Sequence, residues 1–113
     1  MRQAGILAAA GLYALEHNIQ RLAEDHVHAR RLAARLQQIP GIAIDPATVD
    51  TNILFFDVIR AQVSAKEFVA ALKQEGLLLN AVGAQSCRAV THLDVPAEAI
   101  EQAAEKIARV LDR

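Results

Sequence analysis

The sequence predicts an α+β domain: a three- to four-stranded, mainly antiparallel sheet with helices packed on one face and a long N-terminal helical lead-in. Two stretches, residues 19–38 and 96–111, repeat apolar residues at helical steps of three and four. Ile53-Leu54-Phe55-Phe56 is a near-continuous apolar run with the content of a buried strand. The elements follow as helix, helix, strands, helix, two strands, helix, an order that suits a sheet with its helices segregated to one side.

Composition narrows the class. A chain of 113 residues is one domain in size. It is 53% hydrophobic and only 4% aromatic, so its core must be built from Ala, Leu, Ile and Val. The net charge is -1 with both signs interspersed, which gives no nucleic-acid footprint. The one cysteine, Cys87, excludes an internal disulfide and suits a reducing compartment. The start lacks a signal-peptide pattern, and no uncharged run is long enough to cross a bilayer. A soluble cytoplasmic protein is the expectation. There are no internal repeats, low-complexity segments or Gly/Ser linkers.

Residues 3 to about 17 read as the first helix. Ile6, Leu7, Leu12, Tyr13 and Leu15, with alanines between them, leave almost no polar face. Such a helix is buried on all sides, and a chain this small can hardly bury one unaided, so a partner surface is expected. A membrane-surface helix is disfavoured because the basic face it needs is absent. Asn18 is placed to cap a second helix over residues 19–38. Ile19, Leu22, His26, Ala29, Ala33 and Leu36 form its seam. Arg21, Glu24, Asp25, Arg31, Arg35 and Gln38 form its solvated face, with Arg21–Asp25 and Glu24–His28 as one-turn pairs. His26 and His28 are two apart and point in different directions, so they read as structural rather than metal-binding.

Pro40-Gly41 ends that helix, and Ile42 and Ile44 suit a short strand before the Asp45-Pro46 turn. Residues 52–58 read as a central strand covered on both faces. Ser64 and Glu67 make a capping box for a helix over residues 65–75, with Phe68, Val69 and Leu72 inward and Gly76 closing its end. Residues 77–80 are a third strand candidate. Residues 81–86 turn, and residues 87–91 return as its antiparallel partner. Residues 96 to 111 close the chain as a helix striped by Ile100, Ala104, Ile107 and Leu111.

Arg88 is the only Lys or Arg between Lys73 and Lys106, and small or apolar residues (Cys87, Ala89, Val90) surround it. A buried unpaired charge is too costly, so this arginine either reaches water along its strand or meets an anion. A guanidinium on a rigid strand suits a carboxylate held through two parallel hydrogen bonds.

Arg88-Ala89-Val90-Thr91-His92-Leu93-Asp94-Val95 resembles the C-terminal signature of the low-specificity L-threonine aldolases, pyridoxal-phosphate enzymes of the aspartate aminotransferase fold type (fold type I). Two further stretches agree. Met1-Arg2-Gln3-Ala4-Gly5, running on through Ala8-Ala9-Ala10-Gly11-Leu12-Tyr13-Ala14-Leu15, is similar to the segment after that family's cofactor lysine. Thr51-Asn52-Ile53-Leu54-Phe55-Phe56 resembles its Thr-Asn-apolar strand. The match covers the whole chain in order, but only the last third of such an enzyme.

The resemblance implies that residues 1–113 form the small C-terminal domain and that the large cofactor-binding domain is absent from this chain. The Schiff-base lysine would lie upstream of Met1. Lys66, Lys73 and Lys106 lack its sequence context, so no catalytic residue and no covalently held cofactor are expected here, and no aldolase activity from the chain alone. Pyridoxal 5'-phosphate would belong to the full-length enzyme. By motif match, Arg88 corresponds to the arginine that binds the substrate carboxylate, and Arg2 to an arginine near the cofactor phosphate, reaching its own or a neighbouring subunit's site. A helix-start arginine without a ligand is the alternative for Arg2. Thr91, His92 and Asp94 fit the strand-to-helix turn better than substrate contact, and Cys87 fits a small core position better than a nucleophile. No metal site is expected.

The implied reaction is reversible cleavage of L-threonine or L-allo-threonine to glycine and acetaldehyde. The implied partners are the chain's own large domain, further copies in a dimer or tetramer, and a small amino acid, with no nucleic acid and no membrane. Other readings are another fold-type I enzyme (an aminotransferase or β-eliminating lyase) and a stand-alone ligand-binding or oligomerisation module.

Overall fold

The computed structural model describes residues 2–113. Among them run α1 (Ala4–His17), α2 (Leu22–Leu36), β1 (Ile42–Ala43), a 3-10 turn (Pro46–Thr48), β2 (Ile53–Val58), α3 (Ala65–Gln74), β3 (Asn80–Ala81), β4 (Ser86–Val90) and α4 (Ala97–Leu111). The strands form one sheet in the order β1-β2-β4-β3, and every neighbouring pair is antiparallel. The α+β class and the antiparallel sheet are as the sequence predicts.

Strand alternation divides the sheet into two faces. Leu54, Phe56 and Val58 of β2, with Cys87 and Ala89 of β4, point inward and are buried. Over them lie the apolar stripes of three helices: Ala29, Leu32 and Leu36 from α2, Phe68 and Leu72 from α3, and Ile100, Ile107 and Leu111 from α4. The helices are also tied at the surface. Glu101 of α4 takes Arg31 at 2.7 Å and Arg35 at 3.1 Å, both from α2. Glu75, at the end of α3, takes Arg113 at 2.6 Å. These pairs are solvated, so apolar burial carries the packing.

Local signals place most of the joints. The Ser64 hydroxyl accepts from the Glu67 amide while the Glu67 carboxylate accepts from the Ser64 amide and hydroxyl, completing the expected capping box. Gly76 closes α3 at φ +74°, a conformation that suits glycine.

Several expectations need correction. β2 is an interior strand, but only its inward face is covered: Phe56 is 2% exposed and its neighbour Phe55 is 58% exposed. An apolar run of this length fits one-sided burial as well as two-sided burial when the second face awaits a cover. Asn18 closes α1 through its amide on the Ala14 carbonyl, and α2 starts later, at Leu22, without a side-chain cap. Residues 77–79 do not pair as a strand. The Leu77 amide is drawn back to the Leu72 carbonyl at the end of α3, and Leu77 and Leu79 pack partly onto the core.

Asp25, expected on the solvated face of α2, is 2% exposed. Arg21 forks onto it at 2.6 and 3.0 Å, so the expected pair forms and accompanies the carboxylate inward. Glu24 and His28 form no ion pair among the described residues. α1 keeps its apolar surface in solvent: no residue of it is buried, and Ile6, Leu7, Leu12, Tyr13 and Leu15 all lie open. Among the described residues nothing covers that helix.

Candidate functional site

The outward face of the sheet is built in cross-strand rows. Ile53 pairs with Val90, Phe55 with Arg88, and Asp57 with Ser86; Asn80 of β3 stands opposite Arg88 on its other side. Because register partners share a face, Arg88 lies in a row between an aromatic ring and an amide, with Ile53 and Val90 in the adjoining row. All of these flanking residues are exposed. Arg88 is therefore a cation on an open face of mixed character, apolar at Ile53, Phe55 and Val90 and polar at Asn80, Asp57 and Ser86.

The guanidinium is poised in an unusual way. Arg88 is half-buried, and its Nε is closed off from solvent yet bonds to nothing. Arg88 makes no ion pair among the described residues. A desolvated donor without an acceptor costs on the order of 1–3 kcal/mol, so such a group calls for a partner that the described residues do not supply. A carboxylate docked on the guanidinium would be gripped through two parallel N–H donors.

Past β4 the chain is latched. Thr91 is buried, and its hydroxyl donates to the Asp25 carbonyl at 2.6 Å. Its amide donates to the Asn52 carbonyl at 2.9 Å, and the Asn52 side-chain amide donates to the Thr91 carbonyl at 2.7 Å. The exit of β4 is thus fixed to the start of β2 and to α2. The His92 carbonyl then accepts from Val95, and its ring nitrogen from the Asp94 amide, shaping the turn into α4. Thr91 was expected in the turn; it ties three elements together instead. Asn52 carries no such signal in the sequence beyond its place in the Thr51-Asn52-apolar stretch. Both roles depend on register between distant strands, which no local sequence signal carries.

The other candidates sit apart from Arg88. Lys66 and Lys73 are exposed on α3, and Lys106 lies on α4 near Gly76. Both helices pack on the inward face, so none of the three lysines shares the face of Arg88. Arg2 is exposed ahead of α1, a helix that contributes nothing to the core. Cys87 is fully buried, and burial, followed by the nearby Asp57 charge, pushes its thiol up to about 11. It is a core residue, not an activated nucleophile. The Arg21 fork holds the Asp25 carboxyl below its ordinary range, more than offsetting the opposing effect of burial. His28 Nδ1 is a second buried nitrogen without a partner, and His26 is half-buried. Among the described residues no group of three or more His, Cys, Asp or Glu could hold a metal. No helix among them is long and apolar enough to cross a membrane.

A hollow of about 430 Å³ lies elsewhere, between α3 and the end of α4, lined by Arg60, Glu67, Phe68, Val110 and Arg113 among others. It opens beside the helical layer and includes none of the residues of the Arg88 face.

Comparison with known proteins places this arrangement. The family model for beta-eliminating lyases matches residues 1–61. The low specificity L-threonine aldolase of Escherichia coli K12 is 41% identical over 92% of this chain and 29% of its own length. The low-specificity L-threonine aldolase 1 of Arabidopsis thaliana is 38% identical over 81% of the chain and 26% of its own length. A probable second Arabidopsis thaliana aldolase is 36% identical over 95% and 31%. The chain thus spans about 30% of the length of the curated relatives it matches. A solved cystine C-S lyase, in complex with its reaction product cysteine persulfide, superposes with a TM-score of 0.75 at 19% identity, over 93% of this chain and 28% of that one. That likeness shows a shared fold.

Proposed function

This chain belongs to the beta-eliminating lyase family, and on that premise we propose that it is the small C-terminal domain of a pyridoxal-phosphate-dependent threonine aldolase. Its contribution is the arginine that holds the amino-acid carboxylate during reversible cleavage of L-threonine or L-allo-threonine to glycine and acetaldehyde. The observation that carries this reading is the open Arg88, with its desolvated and unpartnered Nε. The names of the relatives at 36–41% identity supply the reaction.

The residues present fit the carboxylate half of such a site and not the covalent half. No lysine of this chain shares the Arg88 face, so the cofactor lysine belongs to a large domain outside residues 1–113. Pyridoxal phosphate, when bound, supplies the electron sink for cleavage at Cα. Arg88 forks onto the carboxylate and fixes the rotation about Cα, which decides the substituent bond presented for cleavage. Ile53, Phe55 and Val90 keep water from that ion pair. The Thr91 latch holds the strand that carries it. Arg2 is assigned to the neighbourhood of the cofactor phosphate, and the large domain together with further copies of the enzyme covers α1.

A second reading has support from the family description and from the cystine C-S lyase fold: elimination at Cβ instead of Cα–Cβ cleavage. Both reactions use the same carboxylate grip. Product analysis on the full-length protein separates them. Threonine should yield glycine and acetaldehyde in equal amounts. Pyruvate from cysteine or serine without glycine from threonine would select elimination. Residues 1–113 alone should show neither activity nor cofactor absorbance, and a borohydride-reducible adduct at Lys66, Lys73 or Lys106 would contradict the assignment.

A further inference from the structure

Asp57 stands one row from Arg88 on the same open face, as the register partner of Ser86. Diagonal neighbours across antiparallel strands lie roughly 7–8 Å apart at the backbone, within reach of a long side chain. A carboxylate so placed is a natural partner for a guanidinium. Nevertheless, Arg88 makes no ion pair among the described residues. The Asp57 carboxylate is engaged instead by Ser86, whose hydroxyl donates to Oδ1 at 2.5 Å, a short hydrogen bond.

We propose that Ser86 is a positioning residue that holds Asp57 off Arg88, so that the guanidinium stays open to a substrate carboxylate. Without the hydroxyl, Asp57 becomes an internal competitor, occupying the fork that the substrate must enter. Such competition lowers apparent affinity by the fraction of enzyme in which Arg88 is already paired. It does not alter the chemical step once substrate is bound. Asp57 is exposed, so the competing pair is a modest one. The inference rests on the reading of Arg88 as the carboxylate grip.

The test is steady-state threonine cleavage by the cofactor-loaded full-length enzyme. Ser86→Ala should raise KM by roughly three- to tenfold with kcat nearly unchanged. Adding Asp57→Asn to that variant should bring KM back, because the competitor is then neutral. Ser86→Thr keeps a hydroxyl and should keep the original KM. Ser86→Val serves in place of Ser86→Ala if the latter folds poorly, since valine suits a strand and cannot donate. An unchanged KM in Ser86→Ala, or a raised KM that Asp57→Asn fails to restore, would overturn the guard. Arg88→Ala runs alongside as the control. If it lowers catalytic efficiency while the Ser86 variants do nothing, the guard fails and the carboxylate grip stands. If it has no effect, the grip itself fails.

Discussion

Phe55 and Phe56 are adjacent on one strand and meet opposite fates. Phe56 enters the core with Leu54 and Val58, beneath three helices; Phe55 stands in solvent with Ile53 and Val90. The inward face is a closed apolar layer. The outward face is mixed: Ile53, Phe55 and Val90 stand beside Asp57, Ser86 and Asn80, and Arg88 with its unbonded Nε sits in the middle of it. The difference teaches that hydrophobic content alone does not mark a core. The inward face has met its partners within the chain, and the outward face keeps a desolvated donor without an acceptor among the described residues.

The largest effect should separate the two phenylalanines. Phe56→Ala opens a cavity in the core and should cost about 3–5 kcal/mol of unfolding free energy. Phe55→Ala removes an exposed ring and should cost less than about 1 kcal/mol. Urea denaturation of both variants checks the contrast. Equal losses would mean that the outward face is covered within the chain after all.

Thr91→Val should come next. Valine matches the shape of threonine but cannot donate to the Asp25 carbonyl, which stays buried, so a loss of about 1–3 kcal/mol is expected. Thr91→Ser keeps the donor and should recover most of the hydrogen-bond share. If valine costs nothing, the latch is not what fixes the end of β4.

A smaller effect distinguishes the buried charge of the helical layer from the solvated ones. Arg21 holds Asp25 below its ordinary pKa, so this carboxylate stabilises the fold fully above about pH 4. That contribution is lost as pH falls through the lowered folded value. The melting temperature should therefore drop on acidification below about pH 4, and Asp25→Asn should be less stable at neutral pH and show a shallower acid limb. Glu67, held down chiefly by the Ser64 hydroxyl, and Glu75, held down chiefly by Arg113, shift in the same direction. They are exposed to solvent or nearly so, so salt should weaken the Glu75 pairs and leave the Asp25 part largely in place. An acid limb unchanged by Asp25→Asn would remove this residue from the account.

Much of the helical layer was legible because its signals are local. The Ser64–Glu67 box, Gly76 and the periodic stripe of α4 each sit within a few residues of what they determine. Arg88 was legible as a lone cation among small and apolar residues. The rows around it were not, because Phe55, Asn80 and the Asp57–Ser86 pair reach it through strand register. Asp25 was misplaced for a related reason. A charge spaced for the outer face of a helix reads as solvated, and only the tertiary arrangement shows Arg21 and Thr91 closing over it. α1 was legible as an apolar helix in need of cover, and among the described residues none of its side chains is buried.

The open face itself is tested most directly through Arg88 in the full-length enzyme, with catalytic efficiency for threonine and cofactor absorbance measured together. Arg88→Ala removes both charge and fork, and Arg88→Lys keeps the charge without the planar two-point grip. With charge-assisted hydrogen bonds at roughly 1.5–3 kcal/mol each, Arg88→Ala should lower kcat/KM on the order of 10²-fold or more. Lysine should recover only part of that loss, and cofactor absorbance should stay as in the wild type. Wild-type efficiency in both variants would make Arg88 a solvent-facing strand residue, and loss of cofactor would move it to the phosphate site or to the fold.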